Sequence, residues 1–517
     1  MNGAHSLTQT LLANGVDTVF ANPGTSEMHF VAALDDTPEI NCILGLFEGV
    51  VTGAADGYAR MKDTPAATLL HLGPGLANGL SNLHNAIRAQ SPIVNVIGDH
   101  AIYHRQYDAP LTSDVEGAAR PFSHWVRTTA NADSVSHDTA AAVAASLTNP
   151  GQIASLILPA DSAWNPVENQ QEPEKAFVPA AGIPADDIIE GAATALKKAK
   201  NPAILLGKNA LREVPLRSAG LIAEATGADL LCPNMVARVT QGAGRVPVKR
   251  VPYATPAAVD FLKDYDLLVL VGSKAPVGFF AYPNRPSALT PPAMHVVELA
   301  QPRHDLTASL EALVTAVGAD TAKEATTSAL DLPDLPTGSV TKEKLGDLLA
   351  NMIPENGIVV DESITTGFTF FSTASTAQPH DYMLGTGGSI GYALPTAAGA
   401  AVACPDRKVI CLESDGSGMY MPQSLWTYAR EGLDIVVVIF SNRKYQILRD
   451  EMRNVGADFG GPRAEALMDL TNPTIDWVSL AKSMGVNGQA VDNMDDLATA
   501  FRAGLDAQGP YLIEVVM

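Results

Sequence analysis

A chain of 517 residues is too long for a single hydrophobic core and implies roughly three domains. Its composition, 46% apolar and 17% charged, is that of a globular protein, and a formal charge of −22 argues against nucleic acid or an anionic membrane as a partner. Cys42, Cys232, Cys404 and Cys411 lack metal-type spacing, the opening residues lack a basic-then-apolar leader pattern, and no run reaches membrane-spanning length, so a reducing, cytoplasmic setting is expected.

Residues 1–170 alternate helical and strand patterns. Leu7–Asn14 reads as an amphipathic helix ended by Gly15, and Thr18–Ala21 as a strand broken by Asn22-Pro23-Gly24. A helix starts at Met28, and the strand Cys42–Leu46 runs into Phe47-Glu48 and a small-residue helix over Val50–Arg60. Strand Ala66–Leu70 leads to His71-Leu72-Gly73-Pro74-Gly75, where Pro fixes one φ and Gly frees the next in a strand-end loop. A helix to about Arg88 and strands Ile93–Ile97 and Gln152–Leu158 complete a doubly wound parallel pattern. Residues 165–184 and 321–340 have linker composition. Between them, strands at Ala203–Leu206, Leu230–Cys232 and Leu267–Val271 mark a second unit. The expected fold is therefore α/β, with three doubly wound parallel-sheet domains at 1–170, 185–320 and 341–517.

The third unit contains the most informative stretch, residues 408–448. The apolar run Val409–Leu412 gives way to Glu413-Ser414-Asp415-Gly416-Ser417. A helical segment to Glu431 and a β-branched strand, Ile435–Phe440, follow before Ser441-Asn442. In such a βαβ unit Asp415 and Asn442 lie at the carboxyl ends of neighbouring parallel strands, where open α/β sheets bind ligands. A carboxylate and an amide oxygen there suit Mg²⁺ shared with a phosphate, and the adjacent glycines and helix N-terminus suit an anion. A capped βα loop is the plain alternative. Glu48, between an apolar strand and a helix, is a partly desolvated carboxylate suited to proton exchange or, more plainly, a helix-start acid.

Asp415-Gly416 with Asn442 at this spacing resembles the cofactor motif of thiamine-diphosphate enzymes, with Ser414 and Ser441 replacing a Gly and an Asn of the family pattern. The resemblance implies metal ligation by Asp415, Asn442 and the Lys444 carbonyl. Glu48 followed by Ala55-Asp56-Gly57-Tyr58-Ala59-Arg60 resembles the family's activating-glutamate segment, in which the carboxylate hydrogen-bonds the aminopyrimidine. Gly73-Pro74-Gly75 with Asn78 resembles the cofactor-proximal turn. His71 and Asn22-Pro23-Gly24-Thr25 resemble benzoylformate decarboxylases, which implies active-site roles for His71 and Thr25. Gly387–Pro395 resembles the Gly-rich helix start that holds the coenzyme bent, implying Ile390 as the wedge and the Gly388 carbonyl as an acceptor. By position, Gly75, Asn78, Ile364, Thr365, Gly416, Ser417 and Tyr445 would also touch the coenzyme.

The resemblance covers the full chain and assigns its units as pyrimidine-binding, central and diphosphate-binding domains. It implies thiamine diphosphate and Mg²⁺ as cofactors, with FAD compatible but not favoured. A small 2-oxo acid would be decarboxylated and released as an aldehyde. Alternatives are carboligation with a second 2-oxo acid, as in acetolactate synthases, or a non-catalytic subunit of the same fold. A dimer is the implied minimal unit, and a tetramer is usual. The segment Gly272–Ala281 has Ala281 where decarboxylases carry a further His, and Phe279, Phe280 and Tyr282 make that wall aromatic. Arg449 and Arg453 read either as carboxylate binders or as exposed helix arginines.

Overall fold

The computed structural model describes residues 1–169, 172–457 and 460–517; Gln170 and Gln171 of the expected linker and Asp458 and Phe459 of the third unit lie outside the described residues. Three α/β sheets form, as the alternating pattern predicts. The first contains β1 (Thr18–Ala21), β2 (Asn41–Leu44), β3 (Ala66–Leu70), β4 (Ile93–Asp99), β5 (Trp125–Thr128) and β6 (Ile153–Pro159). Its order is β2-β1-β3-β4-β6-β5, parallel throughout. Strands β4 and β6 are buried along their whole length, which is why they read as unbroken apolar runs. The half-buried edge strand β5 carries no such contrast and escapes the sequence reading.

The central region supplies β7 (Pro202–Leu206), β8 (Asp229–Cys232), β9 (Val239–Gln241), β10 (Lys249–Arg250), β11 (Leu267–Val271) and β12 (His295–Ala300). The third region supplies β13 (Gly357–Glu362), β14 (His380–Leu384), β15 (Val409–Ser414), β16 (Ile435–Ser441), β17 (Asn487–Val491) and β18 (Tyr511–Val516). The central sheet runs β10-β8-β7-β11-β12, and the last sheet runs β17-β18-β16-β15-β13-β14-β9. Strand β9 thus leaves its neighbours in sequence and pairs antiparallel with β14, at the edge of an otherwise parallel sheet.

Each sheet has a switch point where successive strands are added on opposite sides: between β1 and β3, between β7 and β11, and between β13 and β15. At such a switch point the connections leave in opposite directions and open a crevice at the carboxyl ends. The first and last crevices hold most of the residues singled out from the sequence. The central one is filled: a Cβ on Gly207 would lie 2.5 Å from the Gly272 carbonyl oxygen, and one on Gly272 2.5 Å from Leu306 Cδ1.

The first and last sheets are joined by two helices, Glu48–Lys62 and Ala393–Ala403, almost every residue of which is buried. Their backbones touch. A Cβ on Gly57 would lie 2.0 Å from the Thr396 oxygen, and one on Gly399 1.8 Å from the Ala54 oxygen. Arg60 reinforces the contact. It is buried with Asp56, one turn away, at 2.6 Å, and donates to the Leu384 carbonyl at 2.9 Å. The small residues that make the sequence look featureless are what let these helices meet. Gly399→Ala should therefore lower the calorimetric Tm, at a cost of about 1–3 kcal/mol. Gly182→Ala, where nothing lies within 4 Å of the added carbon, should leave Tm nearly unchanged.

Candidate active site

The first crevice is built around an imidazole. His71 closes β3, and the helix Leu72–Ala89 begins at the next residue. Gly73-Pro74-Gly75 is consequently the first turn of that helix rather than the strand-end loop expected. Pro74 is tolerated because a first-turn N–H has no intrahelical acceptor. His71 Nδ1 lies 2.8 Å from Glu27 Oε2 and 3.3 Å from Ser26 Oγ. Glu27 is buried, and its carboxylate also accepts from Ser26 Oγ at 2.8 Å and from the Gly24 N–H at 2.8 Å. A carboxylate only accepts, so Nδ1 carries the proton and Nε2 is turned free. The cluster is close-packed against glycine on two sides. A Cβ on Gly24 would sit 2.1 Å from His71 Nδ1, and one on Gly98 1.7 Å from Glu27 Oε1.

Glu48 opens its helix beside this cluster and accepts from Asn78 Nδ2 at 3.0 Å. Gly75 is the meeting point: a Cβ there would lie 3.1 Å from Glu48 Oε1 and 3.3 Å from His71 Cβ. The structure thus brings together Glu48, Gly75, Asn78 and His71. Thr25 is exposed, and no described hydrogen bond involves its hydroxyl; Ser26 is the hydroxyl that reaches His71. Glu27 escapes a sequence reading that treats it as a turn residue. Its signal is the three-residue step from Gly24, whose N–H it captures in a capping box.

The last crevice holds the other group. Asp415 begins a single helical turn, Asp415–Gly418, directly after β15. Its Oδ2 accepts from the Arg443 N–H at 2.6 Å and its Oδ1 from the Gly416 N–H at 2.9 Å. Asn442 follows β16 on the neighbouring strand, and its Oδ1 accepts from the Lys444 N–H at 3.1 Å. Arg443 between them takes a left-handed φ of +57°. Gly416 is pressed by the Tyr445 ring, with 2.5 Å from a notional Cβ to Cε1. The Ser417 hydroxyl is turned inward to Glu413. Across the switch point Ile364 takes φ +47° and Thr365 is buried. Gly388, at φ +78°, backs onto Phe279, and Ile390 stands 37% exposed at the mouth.

Two further carboxylates lie beneath. Glu362 on β13 and Glu413 on β15 are register partners, both buried. Glu362 accepts from the N–H groups of Gly391 and Ala393, at 2.8 and 2.9 Å, and so pins the loop that carries Gly388 and Ile390. Burial and mutual repulsion push the Glu413 carboxyl well up. Above them opens a cavity of about 320 Å³, lined by Ile364, Gly388, Ile390, Phe279, Phe280 and Leu448 among others. A larger cleft of about 780 Å³ lies elsewhere, and its arginines are engaged in ion pairs: Arg212–Asp63, Arg238–Asp381 and Arg245–Glu213.

One parallel sheet presenting a carboxylate and an imidazole, and another presenting Asp and Asn oxygens above a glycine cradle, define the class: an enzyme of the thiamine-diphosphate type. Residues 1–120 match the thiamine pyrophosphate enzyme N-terminal TPP binding domain, and residues 366–515 match the C-terminal TPP binding domain. The chain belongs to this family. It is 47% identical, over 100% of its length and 99% of the relative's, to a Mycobacterium tuberculosis protein provisionally named acetolactate synthase large subunit IlvX. It is 29% identical, over 100% and 99% of the two chains, to benzoylformate decarboxylase of Pseudomonas aeruginosa. Among solved structures, the thiamine diphosphate-dependent 4-hydroxybenzoylformate decarboxylase of Rhodococcus jostii RHA1 superposes with a TM-score of 0.85 at 25% identity, covering 100% and 99% of the chains. No helix among the described residues is long and apolar enough to cross a membrane.

Burial pushes the Asp415 carboxyl up to about 6. Its folded value then exceeds the unfolded value of about 3.9, so the folded chain holds the proton more tightly. Its contribution to the stability of the cofactor-free protein is complete below about pH 4 and is lost as pH rises through about 6. Asp415→Asn should remove that pH-dependent component between pH 4 and 6, whatever its effect on absolute stability. Urea titrations of the two proteins at several pH values would check this.

Proposed function

We propose that the protein decarboxylates a small 2-oxo acid, with thiamine diphosphate and Mg²⁺ as cofactors, and releases the product as an aldehyde. The observation that carries this reading is the Glu27–His71 pair beside Glu48, a proton-handling group on the half-site that would face the reacting carbons. When bound, thiamine diphosphate supplies a carbon nucleophile and an electron sink for the bond to CO₂.

The chain's own residues supply the rest. The Gly387–Gly391 cradle and Gly416, with no side chains to fill them, suit a coenzyme with a phosphate tail. Asp415 Oδ and Asn442 Oδ1 are hard oxygens on adjacent strand ends, with the Lys444 carbonyl two residues on, the donor chemistry that Mg²⁺ takes. The turn Asp415–Gly418, with Thr365 and Tyr445, would receive the anionic tail, and Ile364 and Ile390 make the apolar bed. Glu48, steadied by Asn78, holds a proton against the pyrimidine ring. His71, its Nδ1 committed to Glu27, presents Nε2 to the substrate carboxylate or to the carbon that must be protonated. Thr25 lies one residue from the hydroxyl that touches His71 and lines the same rim.

Glu48 belongs to the first crevice and Asp415 to the last, and each is flanked by exposed apolar side chains: Met28 and Leu46 on one side, Met419 and Tyr420 on the other. A second copy of the chain would cover both, so that one protomer gives Glu48 and His71 and its partner gives Asp415 and Asn442. A dimer is then the smallest active unit and a tetramer a natural extension.

Capture of the decarboxylated fragment by a second 2-oxo acid is the other reading. It is favoured by Ala281, which stands in the aromatic wall in place of a second imidazole. Incubation with benzoylformate and with pyruvate, with product identification, separates the two: aldehyde alone supports decarboxylation, and a 2-hydroxy-2-acyl acid supports the synthase. Glu48→Gln should cut turnover by about 10²–10⁴ while cofactor affinity changes only a few-fold. If wild type and variant are equally inert on a broad panel of 2-oxo acids, a binding-only subunit is the better account. EDTA should release the coenzyme, and added Mg²⁺ should restore it, by equilibrium dialysis.

A further inference from the structure

The cavity of about 320 Å³ contains a charged group for which the chemistry above has no use. Ile447, Leu448 and Glu451 line it from one face of the helix Gln446–Val455, positions 447 and 451 being one turn apart. Tyr253, Phe279 and Phe280 form the facing wall. The Tyr253 and Phe279 ring centres are 5.5 Å apart, and those of Phe279 and Phe280 4.8 Å. Arg250, Asp361 and Glu362 also line the cavity, and to the side formed by this helix and the aromatic wall Glu451 brings a carboxylate.

That carboxylate is half satisfied. Tyr282 donates its hydroxyl proton to Glu451 Oε1 at 3.1 Å, and Asn454 Nδ2 lies 3.4 Å from the same oxygen. The Tyr253 hydroxyl shares this neighbourhood with Tyr282 and Glu451. Burial and this neighbourhood raise the Tyr253 hydroxyl above its ordinary value, so both protons stay in place. Among the described residues Oε2 accepts no hydrogen bond, and no cation forms an ion pair with Glu451. The arginines on the opposite helix face are engaged elsewhere, Arg449 with Glu465 and Arg453 with Asp450. The bond from Tyr282 therefore occupies Oε1 and leaves Oε2 as the open acceptor. Glu451 is half-buried at the cavity wall, and a ligand that donates to Oε2 there forms a charge-assisted hydrogen bond.

We infer that Glu451 determines substrate choice: the cavity takes 2-oxo acids with a bulky side chain ending in a hydrogen-bond donor, which Glu451 Oε2 accepts. Phenolic hydroxyl and guanidinium ends share that chemistry. The inference rests on the cavity being the place where the proposed 2-oxo acid sits.

The test uses the holoenzyme with thiamine diphosphate and Mg²⁺ and two matched pairs, 4-hydroxyphenylglyoxylate against phenylglyoxylate and 5-guanidino-2-oxopentanoate against 2-oxohexanoate. A preference of at least about tenfold in kcat/KM for the donor-bearing member of one pair is expected, and the pair that shows it tells a hydroxyl from a cation. Glu451→Leu should abolish that preference through KM and raise kcat/KM for the donor-free acids; Glu451→Gln, which keeps one acceptor oxygen, should retain part of it. Equal rates within both pairs, or a preference that survives Glu451→Leu, overturns the inference. Calorimetry with 4-hydroxymandelate and mandelate, which have no keto group to react, reads the phenolic arm without turnover. Unequal affinity with no turnover of any 2-oxo acid sinks the decarboxylase reading alone, whereas turnover with equal affinity and equal rates sinks this inference alone.

Discussion

Two helices that meet backbone to backbone hold the molecule's working parts in place. Gly57 and Gly399 leave so little room that one additional carbon on either would collide with a carbonyl of the opposite helix. Contacts this close do not slide, because interiors are packed like crystals and tolerate few alternative arrangements. Glu48 starts one of the two helices, and the loop bearing Gly388 and Ile390 leads into the other. The buried Asp56–Arg60 pair adds an electrostatic tie, reaching from the first sheet to the Leu384 carbonyl at the end of β14. Losing either partner would leave a charge buried and alone, which costs far more than the intact pair contributes.

Given that frame, the reversal of strand order does the positioning. The break between β1 and β3 brings the Asn22–Glu27 turn against His71, although Glu27 and His71 are 44 residues apart. The break between β13 and β15 opens the space between Ile364 and Asp415. The same architecture thus gathers the Glu27–His71 pair in one sheet and Asp415 with Asn442 in another. In the central sheet the equivalent space is closed by Leu306 and by the approach of Gly207 to Gly272.

Features confined to one strand–turn–helix unit were legible from residue order. Asp415 and Asn442 sit on consecutive parallel strands, so their separation along the chain translates directly into proximity. Glu48 before a run of small residues was legible for a similar reason. Other features were not. Gly73-Pro74-Gly75 looked like a loop, since glycine and proline disfavour helix interiors, yet the first turn of a helix accepts both. Ser26 rather than Thr25 reaches His71 because a short 3₁₀ turn, Thr25–Glu27, rotates the two hydroxyls apart. Strand β9 carries no mark of joining a distant sheet, because edge pairing is decided by whichever partner strand is exposed. Glu451 carries no mark in the sequence of its contact with Tyr282, which donates to it from the central region.

By itself the sequence determined the fold class and the three-sheet division, because hydrophobic period and strand-end turns act over short stretches of chain, and it pointed to the coenzyme through the resemblance of its motifs to those of thiamine-diphosphate enzymes. Only the tertiary structure decided which carboxylate orients His71, which hydroxyl accompanies it, and that Glu451 faces the cavity with one oxygen open. Those are relations between residues tens to hundreds of positions apart. They depend on packing geometry, where a difference of about one ångström separates a hydrogen bond from none, and no local pattern encodes a distance that fine.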